Sequence, residues 1–173
     1  TFTIQVHDVG VNSIVAPTGL VILNSTITPQ AVVENFGGQS ETFDVSLVIL
    51  TTPPYTSTQT INLNSGEVTT VNFAAWTASP IGTFEVRCST ELADDSIPAN
   101  NLKIDTVIVY DDDVGVVSIL APVGNTDSTA TIAPRCSVYN YGSLPATFPV
   151  TFTISGPATY TNTQTVNNLP AGS

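Results

Sequence analysis

Apolar and polar residues alternate with a period of two along several short stretches of the chain. Phe43, Val45, Leu47 and Ile49 fall on one side of such a stretch, and Phe148, Val150, Phe152 and Ile154 repeat the pattern much later. Successive side chains of a strand point to opposite faces, so each run predicts a strand with one face buried. The same alternation places Val71, Phe73 and Ala75 on one strand and Phe84, Val86 and Cys88 on another. Threonine and β-branched residues dominate, and turn formers separate the runs: Ala16-Pro17-Thr18-Gly19, Gly37-Gly38, Pro53-Pro54, Asn64-Ser65-Gly66 and Ser79-Pro80-Ile81-Gly82. No segment shows a helical period. About seven short strands in roughly 100 residues predict an all-β chain of immunoglobulin-like sandwiches.

The chain also matches itself. At an offset of 105 residues, no gap is needed from Asp8 to about Leu63: Asp8-Val9-Gly10-Val11 falls on Asp113-Val114-Gly115-Val116, and Ala16-Pro17 on Ala121-Pro122. Asn35 falls on Asn140, Gly37 on Gly142, Thr42-Phe43 on Thr147-Phe148 and Tyr55-Thr56 on Tyr160-Thr161. Self-similarity at a fixed offset marks a tandem array, and a period this long means whole domains in series. Residues 8–112 therefore read as one complete domain and 113–173 as the N-terminal part of a second, incomplete copy. Residues 1–7 lie opposite Thr106 to Asp112 and read as the last strand of a preceding repeat or an N-terminal linker strand, although only Thr1 matches by identity. The sequence thus resembles a window on a longer array. Strand donation by a neighbouring molecule is the rival account of the short second copy. Residues 1–7 could supply one strand where about three are lacking, so the window is the preferred reading.

Charge narrows the function classes. Only 3 basic residues, Arg87, Lys103 and Arg135, stand against 14 acidic ones, for a net charge of -11. Such a surface repels phosphate backbones and anionic lipid, and the scattered cations form no stripe for nucleic acid. No apolar run reaches the length of a membrane span. Catalysis has little to work with: the one histidine, His7, sits at a domain junction with no partner at a recognisable spacing. No enzyme is expected.

The cysteines lie on the two strands that an immunoglobulin-type disulfide joins, but in different copies. Position 31, opposite Cys136, is Ala31, and the position opposite Cys88 would be 193, beyond this chain. The expectation is that Cys136 has its partner outside the chain and that Cys88 is a free, buried thiol. A Cys88 to Cys136 link between neighbouring chains would require exchanged strands. Arg87 beside Cys88 points to the opposite face and does not activate the thiol. Two acidic clusters offer candidate calcium ligands. One is Asp111-Asp112-Asp113 at the junction; the other is Asp94 and Asp95, in a loop with Glu91, Asn100 and Asn101 between the last two strands. Solvated aspartates that cap turns are the competing reading. Calcium is the one cofactor weighed, and none is required.

The stretches "NFAAWTASPIGTFEVRCST" and "ELADDSIPANNLKIDTVIV", with "DVGVVSILAP" and "ITPQAVVENFG", resemble the cell-adhesion-related domain found in bacteria, CARDB. An acidic loop ending in Asn100-Asn101 and the Asn35-Phe36-Gly37 motif, repeated as Asn140-Tyr141-Gly142, carry the resemblance. It implies a secreted β-sandwich, commonly in tandem on large surface proteins, with no shared catalytic residues. This loop is poorer in glutamate than the usual pattern, which weakens the calcium idea.

The sequon Asn24-Ser25-Thr26 agrees with an exported chain and makes Asn24 a candidate glycosylation site. Trp76, the single tryptophan, either stacks on a sugar or plugs the core. The expected function is structural: a segment of an extracellular filament or surface stalk whose partners are copies of itself or adjacent repeats. The alternatives are an adhesin or carbohydrate-binding module that meets surface glycans, and a non-catalytic spacer of a large secreted enzyme.

Overall fold

The computed structural model describes residues 6–127, 129–156 and 159–173, so most of the expected strand over 1–7 lies outside the described residues. The chain divides into two compact units, Thr1–Val109 and Tyr110–Ser173.

The first unit is a closed β-sandwich. Its smaller sheet has the order β1 (Val9–Ala16), β4 (Gln30–Asn35), β7 (Val68–Asn72). Its larger sheet has the order β2 (Gly19–Ile22), β10 (Leu102–Tyr110), β9 (Gly82–Glu91), β5 (Glu41–Ile49), β6 (Tyr55–Leu63). A short pair, β3 (Thr26–Ile27) with β8 (Trp76–Thr77), ties down one edge. The alternation in the sequence appears directly in the packing. Phe43, Val45, Leu47 and Ile49 of β5 and Val86 and Cys88 of β9 face Val9, Val11, Ala31 and Val33, and each is at most 3% exposed. Burying an aliphatic side chain of this size stabilises the fold by roughly 1.5–3 kcal/mol.

The outward face of β5 and β6 is hydroxylic: Ser46 and Thr58 are 2.8 Å apart, Asn62 donates to Thr42 Oγ1 at 2.8 Å, and Thr60 donates to Asp44. Cross-strand bonds of this kind let a surface poor in charge stay polar. Ala75 departs from the expected alternation. β7 ends at Asn72, Ala75 is exposed, and Trp76 instead turns into the core at 5% exposure.

The second unit repeats part of this plan. β11 (Val114–Ala121) pairs antiparallel with β12 (Arg135–Asn140), starting at Val114 opposite Asn140, as β1 pairs with β4 starting at Val9 opposite Asn35. Register shifts fall between Val116 and Ser118 and between Ile119 and Ala121, as they do between Val11 and Ser13 and between Ile14 and Ala16. β13 (Ala146–Ile154) pairs with β14 (Tyr160–Leu169) as β5 pairs with β6. One residue is added: Phe148 faces Val166 but Ala146 faces Leu169, and the bulge holds Asn168 at φ 50°. Leu169 therefore stands where Leu63 stands in the first unit.

The two pairs of the second unit enclose a cleft of about 310 Å³ lined by Leu120, Cys136, Val138, Val150, Phe152 and Tyr160, among others. Its inner faces are open. Val116 is 60% exposed where its counterpart Val11 is 3%, and Ile154 is 37% exposed where Ile49 is 0%.

Candidate functional site

The most built polar feature of each unit is an asparagine. Asn35, the last residue of β4, is wholly buried and donates from Nδ2 to the carbonyls of Gln39 at 2.8 Å and Leu63 at 2.9 Å, while its Oδ1 accepts from Gly37 N at 2.9 Å. Its backbone N–H donates to Glu67 O at 3.0 Å, and its carbonyl accepts from Gly66 N at 2.8 Å. One side chain thus holds three segments that a sandwich must bring together: the end of β4, the turn into β5 and the end of β6. A buried amide is tolerated because every one of its groups is paired.

Glycine at 37 is a requirement of the same joint. A Cβ there would lie 2.6 Å from Val6 O and 3.1 Å from Asp8 N, whereas one on Gly38 would meet nothing within 4 Å. Gly37 N and Gly38 N also donate to the carbonyls of Asp8 and Val6, at 2.9 and 3.0 Å, which anchors the chain as it approaches β1.

The acidic loop after β9 clamps the same strand start. Asp95 Oδ2 accepts from Val9 N at 3.1 Å and its Oδ1 from Ile97 N at 2.8 Å. Asn100 Nδ2 donates to Asp8 Oδ1 at 2.8 Å and lies over Gly10, whose Cβ would stand 2.8 Å from Asn100 Cγ. Ser96 N donates to His7 O at 2.7 Å, and Thr90 Oγ1 donates to Val9 O at 3.3 Å. His7 Nδ1 lies 2.8 Å from Glu41 Oε1. Asn100 Oδ1 and Asn101 Oδ1 are buried and accept no hydrogen bond.

The candidate metal ligands are placed as follows. Both oxygens of Asp95 are engaged by backbone N–H groups, Asp94 is exposed at φ 63° in a turn, and Glu91 ends β9 and is exposed. In the triple aspartate the backbone does the bonding: Asp113 O accepts from Tyr141 N and Gly142 N at 2.8 and 2.9 Å, and Asp111 O accepts from Ser143 N at 2.9 Å. Asp112 and Asp113 are exposed. Among the described residues no three His, Cys, Asp or Glu side chains are grouped to hold a metal ion.

Cys88 and Cys136 are both free thiols, the first fully buried and the second partly so. Burial pushes the Cys88 thiol up from an ordinary 9.0 to about 12, while Arg87 pairs with Glu85 on the outward face. Asn24 is exposed at φ 64° in the turn between β2 and β3. Trp76, at 5% exposure, has no face to offer a sugar. Among the described residues no helix is long and apolar enough to cross a membrane.

The structural role of Asn35 and Asn140 is what sequence reasoning missed. Its signal was present: an Asn with Gly two residues later, kept at the same offset as the strand pattern.

No family model and no curated protein matches the chain. Solved structures do match it. The crystal structure of the CARDB domain of the PF1109 protein from Pyrococcus furiosus, in complex with di-metal ions, aligns with 62% of this chain and 97% of its own at 22% identity and a TM-score of 0.54. The solution NMR structure of the same domain aligns with 61% of this chain and 97% of its own at 23% identity and a TM-score of 0.53. Likeness at this level of identity shows the fold: the chain carries a CARDB-like β-sandwich.

Proposed function

We propose, with the CARDB-like fold as premise, that this chain is a structural segment of an extracellular filament or surface stalk made of tandem immunoglobulin-like repeats. The observation that carries this reading is the recurrence of the asparagine joint. Asn140 Nδ2 donates to Leu144 O and Leu169 O at 2.8 and 2.9 Å, and its Oδ1 accepts from Gly142 N at 2.9 Å, bond for bond as Asn35 does. Asn140 N and O meet Ser173 O and Gly172 N at 2.8 and 2.9 Å, the places of Glu67 and Gly66. A joint rebuilt in such detail supports selection for a repeated scaffold, with function in length and surface and none in turnover.

Asp95, Asn100 Nδ2 and the asparagine joint are engaged in holding the sandwich together, which favours a scaffold over a catalyst. The reading does not rest on a bound metal: Asp95 accepts from the backbone with both oxygens, Asp8 accepts from Asn100, and among the described residues no three His, Cys, Asp or Glu side chains are grouped to hold an ion. Exposed threonines and a net charge of -11 suit an exported surface that stays soluble at high local density. The test is electron microscopy of the material from its native source. Linear particles are expected, and compact single molecules would refute the reading.

A further inference from the structure

We propose that the free edge of β6 is a self-association surface: it pairs antiparallel with β6 of a second copy of this chain, so that two five-stranded sheets become one. This side-to-side contact goes beyond the end-to-end stalk and does not rest on it.

A strand at the edge of a sheet presents unpaired N–H and C=O groups, and natural edges are blunted by short length, bulges, charge or proline. Of the four edges of the two sheets in the first unit, three are blunted in this way. β1 carries two register shifts, and β2 and β7 are four and five residues long. β6 has no such protection. It runs for nine residues in unbroken register with β5, from Tyr55 opposite Ile49 to Leu63 opposite Glu41, and it holds no charged residue, proline or glycine. Among the described residues β5 is its one strand partner, and no backbone group from 55 to 62 bonds elsewhere.

The exposed face of this edge is repeated where that of its neighbour is not. Thr56, Thr58, Thr60 and Asn62 point outward on β6, and at the 105-residue offset they fall on Thr161, Thr163, Thr165 and Asn167, an identity at every position. The outward residues of β5 beside them, Asp44, Ser46 and Val48, fall on Pro149, Thr151 and Thr153. Thr60 donates to Asp44, yet Thr165 remains where Pro149 offers no acceptor side chain. Bonds within the sheet therefore do not account for the threonines. A common use of the edge does.

The occupant is a second copy because the strand complements itself. With a two-fold axis at Thr58, Thr56 faces Thr60 of the other copy on the outer face, while Ser57 faces Gln59 and Tyr55 faces Ile61 on the inner one. Hydroxyl pairs of this kind already bridge strands within the chain: Thr151 and Thr163 lie 2.9 Å apart, and Ser46 and Thr58 2.8 Å. A chain of net charge -11 repels its copies over most of its surface, and along β6 they meet without charge. Asp44 sits one strand back, so the two copies of it stay about 14 Å or more apart, beyond a Debye length at physiological salt. A self-complementary contact with a two-fold axis closes as a dimer.

The test is sedimentation velocity of the 173-residue chain over a concentration series up to about 1 mM, the range in which a weak contact is read. Two variants are run beside it: T56K/T60K, and T83K/T106K, which adds the same charge on the outer face of β9 and β10, away from the edge. The unaltered chain is expected to dimerise, and amide exchange at alternate residues of β6 should slow as its concentration rises. T56K/T60K brings two pairs of like charges face to face at about 5 Å and should lose at least about tenfold in association constant, although it lowers the net charge. T83K/T106K should associate at least as well as the unaltered chain. Circular dichroism and Trp76 emission check that both variants fold. A chain that stays monomeric throughout, or association equally strong in T56K/T60K, overturns the proposal. If T56K/T60K does not fold, amide exchange in the unaltered chain decides, and protection of β6 that ignores concentration overturns it.

Discussion

Asn35 and Asn140 make the same three side-chain hydrogen bonds with the same geometry, all between 2.8 and 2.9 Å, in two units of one chain. The joint is formed in the second unit although, among the described residues, no counterparts of β7 to β10 accompany it. It is therefore local: it needs the end of β4 or β12, a turn, and the end of β6 or β14. The closed core needs more.

Replacing Asn35 by alanine leaves the carbonyls of Gln39 and Leu63 and the N–H of Gly37 without their partner. Unfolding of the first unit, followed by the emission of Trp76 in urea, should show a loss of about 2–4 kcal/mol, since each buried group left unpaired costs about 1–3 kcal/mol and water relieves part of it. Asn35→Asp should be no milder, because a carboxylate cannot donate to two carbonyls.

Gly37 and Gly38 form an internal control. Gly37→Ala drives a methyl against Val6 O and should cost about 1–3 kcal/mol, whereas Gly38→Ala, with open space around it, should leave the urea midpoint nearly unchanged. Equal effects at the two positions would show that the close approach at Gly37 does not exist.

Cys88 provides a pH dependence. Its folded value of about 12 lies above the ordinary 9.0, so the native state keeps a proton that the unfolded chain releases. Stability from this group is fully present below pH 9 and declines as the pH climbs toward 12. Cys88→Ala should flatten that alkaline decline in a pH series of urea midpoints, at the cost of a small cavity. In the native protein at neutral pH, a thiol reagent should label Cys136 and spare Cys88.

Asp95 acts as a brace. Asp95→Ala should free the N–H of Val9 and that of Ile97, speeding amide exchange at Val9 and lowering stability by about 1–2 kcal/mol. Asp95→Asn keeps one acceptor and should fall between the two. Addition or chelation of calcium should leave the unfolding midpoint of the unaltered chain where it is.

The strands were legible in the sequence because they rest on local period-two alternation, and the internal self-match because it needs only the sequence laid against itself at a 105-residue offset. Phe43 to Ile49 alternates in the sequence and in the core alike. The clamp of Asp95 on Val9 was not legible, since it spans 86 residues and depends on how the loop closes over β1. Asp95 reads as a metal ligand by composition, while its oxygens in fact satisfy backbone N–H groups. Trp76 was ambiguous for a similar reason: a lone aromatic beside a turn goes inward or outward according to the small residues around it. The bulge at Asn168 was invisible, because an ungapped match to about Leu63 hides a single residue added near its end.

The most direct check is the shape of the native assembly. Cryo-electron microscopy of material from its source should show unbranched linear particles with an axial step of about 33 Å or a little more per sandwich, the length set by strands of about ten residues at ~3.3 Å each plus their turns. Compact particles of one chain, with no end-to-end contact at any concentration, would contradict the account.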